Sequence, residues 1–401
     1  MKVSVVGLGY IGLPTSLTMA CAGFEVIGVD YNKDLVKSLN DGKVTFEEKG
    51  LKELFDQAIK TKNIKFVSEY QKSDVYIVSV PTPYDKFSKK IDSTYVVNAV
   101  KEVLKICDED TIVVIESTVS PGTIEKEIKP LINKKVYLAH APERIIPGNM
   151  MYELKHNSRT IGADNKEIGE KIADMYRKTT TGDVVVTDIK TAEMTKVVEN
   201  TFRAVNIALS NELAKICSHD GMDVYEIIKI CNMHPRVNLL NPGPGVGGHC
   251  ISVDPWFLVG DYPMLTKVIG ESMKVNDSMP SFVLKRISEI MEQKGISDCK
   301  RVGLYGLTYK ENVDDFRESP TLQLLEAQKE HLAEGLKVYD PYIKNDIVKN
   351  QYHNLDEFLD SIDLIVIMVK HDEIKNNWDK IKNKVIFDTQ NIFDDDKIYH
   401  L

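Results

Sequence analysis

The sequence has no apolar run that approaches the roughly 20 residues a transmembrane helix needs. Its first residues, MKVSVVGLGY, lack the basic flank, the long apolar core and the cleavage site of a signal peptide. We therefore expect no association with a membrane, and we expect the protein to be cytoplasmic.

Cysteine is scarce: six occur among 401 residues, without the paired spacing of a zinc module or a disulfide framework. The adjacent pair His249-Cys250 has no further ligands at metal-site spacing, so we predict no metal site. Cys21, Cys107 and Cys217 lie in apolar, helix-like runs, and we expect these three to be buried and inert.

Positive charge is in deficit, because 51 Lys and Arg face 60 Asp and Glu, giving a net charge of -9. This balance argues against nucleic acid or an acidic membrane as a partner, although it allows a local basic pocket for an anionic ligand. The 43% hydrophobic and 28% charged residues indicate a globular protein. A chain of 401 residues exceeds one ordinary core, so two or three domains are expected.

Strand-like and helix-like segments alternate in the N-terminal part and again near the end, which predicts βαβ units with parallel sheets. Between these parts, one long apolar helix is predicted at about 191–218, and a Pro/Gly-rich stretch follows at 241–248. Ser319-Pro320 predicts the start of a helix and Gly335 its end. The predicted strands are Lys2–Val6, Glu25–Asp30, Val75–Val80, Thr111–Ile115, Val136–Ala139, Arg301–Tyr305, Leu336–Asp340, Leu364–Val369 and Val385–Phe387.

A nucleotide site is indicated where the first predicted strand ends. Gly7-Leu-Gly9-Tyr-Ile-Gly12 follows that strand and opens a helix, and glycines are needed where a tight turn brings backbone amides to a pyrophosphate. Asp30 ends the second predicted strand, where its carboxylate can accept hydrogen bonds from ribose hydroxyls and would repel a 2′-phosphate. The pattern therefore predicts NAD in preference to NADP.

A reactive thiol is indicated at Cys250, which ends the glycine-rich segment NPGPGVGGHC. The glycines let the backbone approach a ligand and leave the thiol reachable. A thiol beside loop amides and near a lysine can become a thiolate, which attacks carbonyl carbon well.

The long predicted helix carries Lys196, Asn200 and Arg203 at i, i+4 and i+7, within one polar stripe. A solvated face is the simpler interpretation. The flanking residues are apolar, however, and we expect them to leave little exposed surface, so that a ligand satisfies the stripe. These flanking residues are Val197, Val198, Phe202, Val205, Ile207, Ala208 and Leu209.

Two polar segments, Glu116-Ser-Thr118 and Pro142-Glu143-Arg144, each follow a predicted strand. Ligands of open α/β sheets bind just beyond the carboxyl ends of the strands. We therefore expect both segments to contribute to the site.

These motifs together resemble the UDP-glucose/GDP-mannose dehydrogenase family over the whole chain. Segments 191–208, 234–256 and 306–320 are similar to the branch that acts on UDP-N-acetyl-D-mannosamine. The resemblance implies an NAD-binding Rossmann domain at 1–190, a central helical dimerisation domain at 191–290 and a UDP-sugar-binding Rossmann-like domain at 291–401. The predicted fold class is thus α/β, with two doubly wound Rossmann-like domains joined by a long central helix.

The resemblance also implies the reaction: NAD-dependent oxidation of the C6 alcohol of a UDP-N-acetylhexosamine to a carboxylate, with two NAD used per sugar, by a homodimer or higher homo-oligomer. Cys250 would capture the aldehyde as a thiohemiacetal, and the thioester formed by the second oxidation would be hydrolysed. Lys196 would act as an acid/base or stabilise the oxyanion, with Asn200 as a second donor. The water and the surroundings of the cysteine would be managed by Thr118, Glu143 and Asp254.

Further residues match the binding sites of the family. The predicted cofactor contacts are Gly7, Gly9, Tyr10, Ile11, Gly12, Asp30, Thr82, Thr118 and Arg317. The predicted substrate contacts are Arg144, Ile145, Lys196, Asn200, Arg203, His234, Arg236, Gly247, Tyr309 and Lys310. The resemblance implies that Arg236 reaches the neighbouring subunit's site.

Two departures from the family pattern bear on the substrate. Val253 stands where UDP-glucose dehydrogenases generally carry a lysine, which favours the N-acetylmannosamine branch, and Gln390 stands where relatives usually place a basic residue. UDP-glucose and UDP-N-acetylglucosamine stay open as substrates. A two-electron hydroxyacid dehydrogenase would have no use for Cys250, and an NAD-binding sensor would bind NAD without turnover.

Overall fold

The computed structural model describes residues 1–248, 250–330 and 335–401, and these form two compact units. The first unit comprises Met1–Glu199 and Phe257–Tyr262, and the second comprises Asn200–Trp256 and Pro263–Leu401. The three functional domain ranges expected from the sequence stay a prediction.

The first unit is built on an eight-stranded sheet in the order β3-β2-β1-β4-β5-β6-β7-β8. Neighbouring strands are parallel except for the antiparallel pair β6–β7. The chain reverses its direction of progress across the sheet at β1, which is where open α/β sheets bind ligands. The strands are β1 Lys2–Val6, β2 Glu25–Val29, β3 Ile64–Val67, β4 Val75–Val78, β5 Thr111–Ile115, β6 Val136–His140, β7 Arg159–Ala163 and β8 Val184–Thr187.

Both faces of this sheet are covered, which explains why its central strands are continuous apolar runs. Val75 and Ile77 of β4 pack in one core, whereas Tyr76 and Val78 pack in another on the opposite face. The helices are α1 Gly12–Cys21, α2 Lys33–Asn40, α3 Leu51–Thr61, α4 Thr94–Ile106, α5 Met150–His156 and α6 Lys166–Arg177, with short helical turns at Ile124–Ile128 and Lys129–Leu131.

The long helix expected from the sequence is confirmed: α7 spans Ile189–Asp220, 32 residues. The expectation of little exposed surface along it is wrong, because Val198, Phe202 and Leu209 are 46%, 61% and 48% exposed. Their spacing places them on one side of α7. The helices that follow it are α8 Val224–Cys231, α9 Asp254–Asp261, α10 Lys267–Asp277 and α11 Met279–Lys294.

The second unit contains a six-stranded, fully parallel sheet in the order β11-β10-β9-β12-β13-β14. Leu364 and Val366 of its strand β12 pack in one core and Ile365 and Ile367 in another, so helices again cover both faces. The elements are β9 Val302–Tyr305, α12 Pro320–Glu330, β10 Lys337–Tyr339, β11 Gln351–Tyr352, α13 Leu355–Asp360, β12 Leu364–Ile367, α14 Asp372–Asn376, α15 Trp378–Ile381, β13 Val385–Asp388 and β14 Tyr399–His400.

The predicted α/β class, with two Rossmann-like sheets and the long helix joining them, is therefore confirmed. Helix α12 begins at Pro320 as predicted, whereas its predicted end at Gly335 follows 331–334, which lie outside the described residues. Five strands were not foreseen: β3, β7, β8, β11 and β14. They are short or, in β7, carry an arginine that interrupts the apolar pattern.

The expectation for the cysteines is correct for Cys107 and Cys217, which are buried, and wrong for Cys21, which is exposed at the last residue of α1. No helix in the described part of the chain combines the length and the apolar character that crossing a bilayer requires. Over residues 1–248, 250–330 and 335–401, no group of three or more His, Cys, Asp and Glu side chains is arranged to hold a metal ion.

Candidate active site

The glycines of the first turn are required for different structural reasons. A Cβ on Gly7, whose φ is +90°, would lie 2.4 Å from the Ser79 carbonyl oxygen, and one on Gly12 would lie 1.8 Å from the Gly7 carbonyl oxygen. The fold itself therefore requires these two glycines. A Cβ on Gly9 would meet nothing within 4 Å, so the absence of a side chain there serves something outside the chain, such as a pyrophosphate.

Asp30 directly follows β2 and lies against this turn. Its Oδ2 accepts the Leu8 amide at 2.8 Å, and its Oδ1 accepts the Asn32 amide at 2.9 Å. The carboxylate is thus fixed beside the glycine turn, half-buried, where ribose hydroxyls can donate to it. The turn and the carboxylate together fit a dinucleotide cofactor.

The other predicted cofactor contacts of this unit lie around the turn. Tyr10 packs on the ring of Phe46 with a centroid distance of 4.4 Å, and Tyr10 and Ile11 both pack against a small apolar cluster that contains Ile145. The cluster connects the glycine turn with a predicted substrate contact. Thr82 and Thr118, in the segments after β4 and β5, are half-buried.

The two kinds of glycine predict different results on substitution. Gly9→Ala should leave the melting temperature unchanged and weaken NAD binding at least tenfold, because the new methyl group meets only the ligand. Gly12→Ala should lower the melting temperature, because its methyl group collides with the Gly7 carbonyl. Thermal melting and calorimetric NAD titration check both results. Unchanged NAD affinity in Gly9→Ala would remove this turn from the cofactor site.

Glu143 follows β6 and is 7% exposed. Its Oε1 accepts the Arg144 amide at 2.8 Å, and its Oε2 forms an ion pair with Arg159 of β7. Arg159 also lies 3.3 Å from Glu116, which directly follows β5, and its guanidinium stacks on Tyr176 at 4.2 Å from the ring centroid. Burial raises the pKa of Glu116 above its usual range.

The Arg144 guanidinium is held by four groups of the same unit. Its Nε donates to Glu199 at 3.0 Å, its Nη1 donates to the Ser158 carbonyl and hydroxyl at 2.9 and 2.8 Å, and its Nη2 donates to Thr160 at 3.0 Å. The guanidinium thus fixes the loop after β6 to α7. Its predicted contact with substrate stays a prediction.

Helix α7 is anchored to the loops after β5 and β6 by two of its carboxylates. Glu193, fully buried, accepts the amides of Gly122 and Ile124, the second at 2.9 Å, and Glu199 accepts Arg144. These anchors lie on either side of Lys196 in the sequence. The helix segment that bears Lys196 is therefore fixed relative to the loops that carry Thr118 and Glu143.

Lys196 is 7% exposed, and no hydrogen bond or ion pair joins its ammonium to another part of the chain that the structure describes. A buried charge without a partner is costly, and a bound anion or developing negative charge would compensate it. The expectation of a satisfied polar stripe holds in part: Asn200 is 6% exposed, but Arg203 is exposed. Arg203 therefore belongs to the surface of this chain.

In the second unit, Asn200 donates to Asp254 Oδ2 at 2.6 Å, and both side chains are buried. Asp254 begins α9, and its amide donates to the Cys250 carbonyl oxygen at 2.8 Å, closing a turn that holds the cysteine. Cys250 is exposed and its thiol is reachable. The preceding residue, His249, lies outside the described residues.

The glycines before Cys250 allow close packing within the second unit. A Cβ on Gly247 would lie 2.6 Å from the Tyr309 Cβ, and one on Gly248 would lie 2.8 Å from the Tyr309 ring. The Gly248 amide donates to the Arg317 carbonyl oxygen at 3.0 Å. The structure thus brings together the cysteine loop and two predicted binding residues, Tyr309 and Arg317.

The other predicted residues of this unit have surroundings of their own. The Arg317 guanidinium binds Asp315, with Nε 2.8 Å from Oδ1, and the Lys310 carbonyl accepts the Thr308 hydroxyl at 3.0 Å. His234 and Arg236 lie in an exposed turn after α8. Gln390, excluded from the predicted site, donates to the Met368 carbonyl at 2.8 Å.

Sequence reasoning missed Arg159, Glu193 and Glu199. The sequence signal that could have indicated them is a charged residue within an apolar segment. An arginine is the first residue of the strand RTIGA, and a glutamate lies in the first turns of an apolar helix. Such charges are buried only when they are paired. Their partners, however, lie far away in the sequence.

Profiles of three parts of one family match the chain. They describe the UDP-glucose/GDP-mannose dehydrogenase family as its NAD binding domain at residues 1–180, its central domain at 190–278 and its UDP binding domain at 303–395. Together they cover most of the sequence.

Individual proteins are similar over their whole length. A UDP-N-acetyl-D-mannosamine dehydrogenase from Methanococcus maripaludis is 43% identical, over 98% of this chain and 93% of its own. An NDP-N-acetyl-D-galactosaminuronic acid dehydrogenase from Ralstonia nicotianae is 35% identical, over 98% of this chain and 96% of its own. The structure of a UDP-D-ManNAc dehydrogenase from Pyrococcus horikoshii superposes with a TM-score of 0.91 at 33% identity, covering 100% of this chain and 99% of that one.

Proposed function

The chain belongs to the UDP-glucose/GDP-mannose dehydrogenase family, and we propose that it oxidises the C6 alcohol of UDP-N-acetyl-D-mannosamine to UDP-N-acetyl-D-mannosaminuronate. The observation that carries the proposal is the buried side chain of Lys196, whose ammonium lacks a partner among the described residues. Oxidation of an alcohol develops negative charge on oxygen, and such a cation stabilises that charge.

NAD, held by the turn Gly7–Gly12 and by Asp30, supplies the hydride acceptor for each of the two oxidations. The chain's own residues supply the rest. In the first step, Lys196 stabilises the C6 oxygen as its proton leaves, and Asn200 is a second hydrogen-bond donor to the substrate. The anchors of α7 at Glu193 and Glu199 support this role, because they limit the movement of Lys196.

The Cys250 thiolate attacks the aldehyde carbon and forms a carbon–sulfur bond, while the carbonyl oxygen takes a proton to give a thiohemiacetal. Loss of the C6 hydride and of the hydroxyl proton converts this adduct to a thioester. The adduct keeps the half-oxidised sugar bound between the two oxidations. The turn that ends at Asp254, with its hydrogen bond from Asn200, supports the role of Cys250 by holding the backbone on which the thiol stands.

Hydrolysis of the thioester completes the reaction. Glu143 takes a proton from the attacking water, Thr118 orients that water, and the carbon–sulfur bond breaks to release the carboxylate and the thiol of Cys250. The burial of Glu143 and its fixed hydrogen bond from the Arg144 amide support this assignment, since a general base needs a defined position.

The proposed substrate contacts are taken from the resemblance to the family. The UDP moiety is proposed to bind the second α/β part, whose match to a UDP binding domain supports a nucleotide sugar. The residues proposed to contact the substrate are Arg144, Ile145, Lys196, Asn200, Arg203, His234, Arg236, Gly247, Tyr309 and Lys310. Arg317 is proposed to contact the cofactor.

One experiment tests the activity and its sugar. Purified protein with NAD and UDP-N-acetyl-D-mannosamine should form two NADH per sugar consumed, with one uronate as product by mass spectrometry. UDP-glucose, UDP-N-acetylglucosamine and UDP-N-acetylgalactosamine are compared by kcat/KM. A ratio of one NADH per sugar would contradict the four-electron reaction, and a higher kcat/KM for another sugar would change the substrate but not the chemistry.

A homodimer in the cytoplasm is the proposed state of the protein. Val198, Phe202, Leu209 and Ile216 are each about half exposed or more and recur every four or seven residues along α7, and such an apolar stripe favours burial against a second copy. The scattered cysteines and NAD chemistry suit a reducing compartment. Static light scattering gives the mass directly, and a monomer would contradict the dimer.

A further inference from the structure

The carboxylate proposed as the base, Glu143, shares one buried guanidinium with a second carboxylate. Arg159, 5% exposed, forms its closer contact with Glu143 Oε2 and a longer one, 3.3 Å, with Glu116 Oε1. Two ionised carboxylates and one guanidinium would leave a net negative charge among buried side chains. Neither Arg159 nor Glu116 has a part in the chemistry described above.

Glu116 is surrounded by donors from several elements of the same unit. The Thr15 hydroxyl of α1 lies 3.3 and 3.2 Å from its two oxygens, and the Tyr176 hydroxyl of α6 lies 3.3 Å from Oε1. The Ser79 side chain, after β4, acts together with these donors to lower the pKa of Glu116. Burial nevertheless dominates and raises the pKa of Glu116. Glu116 is therefore the carboxyl of this pair that takes up a proton more readily than an exposed glutamate.

We propose that Arg159 is a positioning residue of the reaction: it holds the Glu143 carboxylate ionised and in one orientation, while Glu116 and Thr15 tie Arg159 to the helix that begins at the nucleotide-binding turn. The inference rests on the proposed role of Glu143. The groups facing the pair are Arg159 from β7, Glu116 and Ser79 from the ends of neighbouring strands, Tyr176 from α6 and Thr15 from α1. The neighbouring Arg144 guanidinium is engaged by Glu199.

The geometry explains why an arginine is used. Nη1 of the planar guanidinium contacts Glu116 and Nη2 contacts Glu143, while the face of the guanidinium stacks on Tyr176. A lysine ammonium is a point charge that can supply the positive charge but not this two-sided arrangement. Charge and orientation can therefore be separated experimentally.

The test is the pH dependence of kcat for uronate formation. In Arg159→Met, Glu143 becomes a buried carboxylate without a cation, its pKa rises, and the acidic limb of the profile should move to higher pH by about one unit or more. In Arg159→Lys, the acidic limb should lie close to its wild-type pH, because the positive charge is kept. The maximal kcat should stay below the wild-type value, because the orientation of Glu143 is lost. Glu116→Gln should move the acidic limb to lower pH. The Arg159 guanidinium then forms an ion pair with Glu143 alone and lowers the pKa of Glu143 further. Arg177→Met, an exposed arginine that pairs with Glu170 and Asp174, is the matched control and should leave the profile unchanged.

A second measurement does not need turnover. In a Glu116→Gln background, which removes the other buried carboxyl, infrared difference spectra between neutral and alkaline pH should show a protonated-carboxyl band after Arg159→Met. That band should be absent from Glu116→Gln alone and from the variant that also carries Glu143→Gln. An unmoved acidic limb together with no new band would overturn the inference. If the wild type oxidises no nucleotide sugar, the proposed function fails, whereas the infrared band still decides whether Arg159 keeps Glu143 ionised. If Arg159→Met does not fold, the rate of Arg159→Lys and the profile of Glu116→Gln decide. A wild-type rate in Arg159→Lys together with an unshifted acidic limb in Glu116→Gln would overturn the inference.

Discussion

Cys250→Ser should abolish formation of the uronate while the protein still binds NAD. The serine hydroxyl is a far weaker nucleophile near neutral pH than a thiolate, so the adduct that carries the sugar between the two oxidations does not form. We expect the rate of uronate formation to fall by at least about a thousandfold, as for removal of a catalytic nucleophile in other enzymes. Mass spectrometry of the product and NADH counting measure the loss.

The matched control for this variant is Cys231→Ser, which changes another exposed cysteine of the same unit and should retain activity. Calorimetric titration should give the same NAD affinity for both variants and the wild type, because the glycine turn and Asp30 lie in the first unit. Uronate output from Cys250→Ser at the wild-type rate would exclude the covalent route and leave direct oxidation of an aldehyde hydrate.

Lys196→Ala is expected to lower kcat by about a hundredfold to a thousandfold, the usual effect of removing one donor from an oxyanion site. Lys196 is 7% exposed, and no ion pair holds its ammonium within the described part of the chain, so its removal relieves a charge that no carboxylate compensates. The melting temperature should therefore stay the same or rise. A variant that loses activity without losing stability is the signature of a residue kept for chemistry.

Lys190→Ala, in the first turn of the same helix and exposed, serves as the control and should leave kcat unchanged. Initial rates at saturating NAD and UDP-sugar separate kcat from KM, and NAD affinity is titrated independently. An unchanged kcat in Lys196→Ala would remove this lysine from the reaction. A large fall in melting temperature would instead show that the ammonium is paired in solution and has a structural role.

Local pattern was sufficient for much of the fold and for the candidate cofactor turn. The alternation of apolar runs predicted the parallel sheets, since a strand covered on both faces must be apolar throughout. The glycine turn and Asp30 could be predicted because the chain returns to the same sheet edge within one βαβ unit. Strands β3, β7 and β8 were missed because each is short or interrupted by charge.

Local pattern was thus enough to predict the alternation of strands and helices, the long helix and the position of a reachable cysteine. Which charged groups meet depends on how the whole chain packs. Glu116, Glu143 and Arg159 are brought together because β5, β6 and β7 are neighbours in the sheet, and no local pattern encodes that order. The same holds for α7: its 3.6-residue period predicts a helix, but only the packed chain shows that Lys196 is buried while Phe202 and Arg203 face outward.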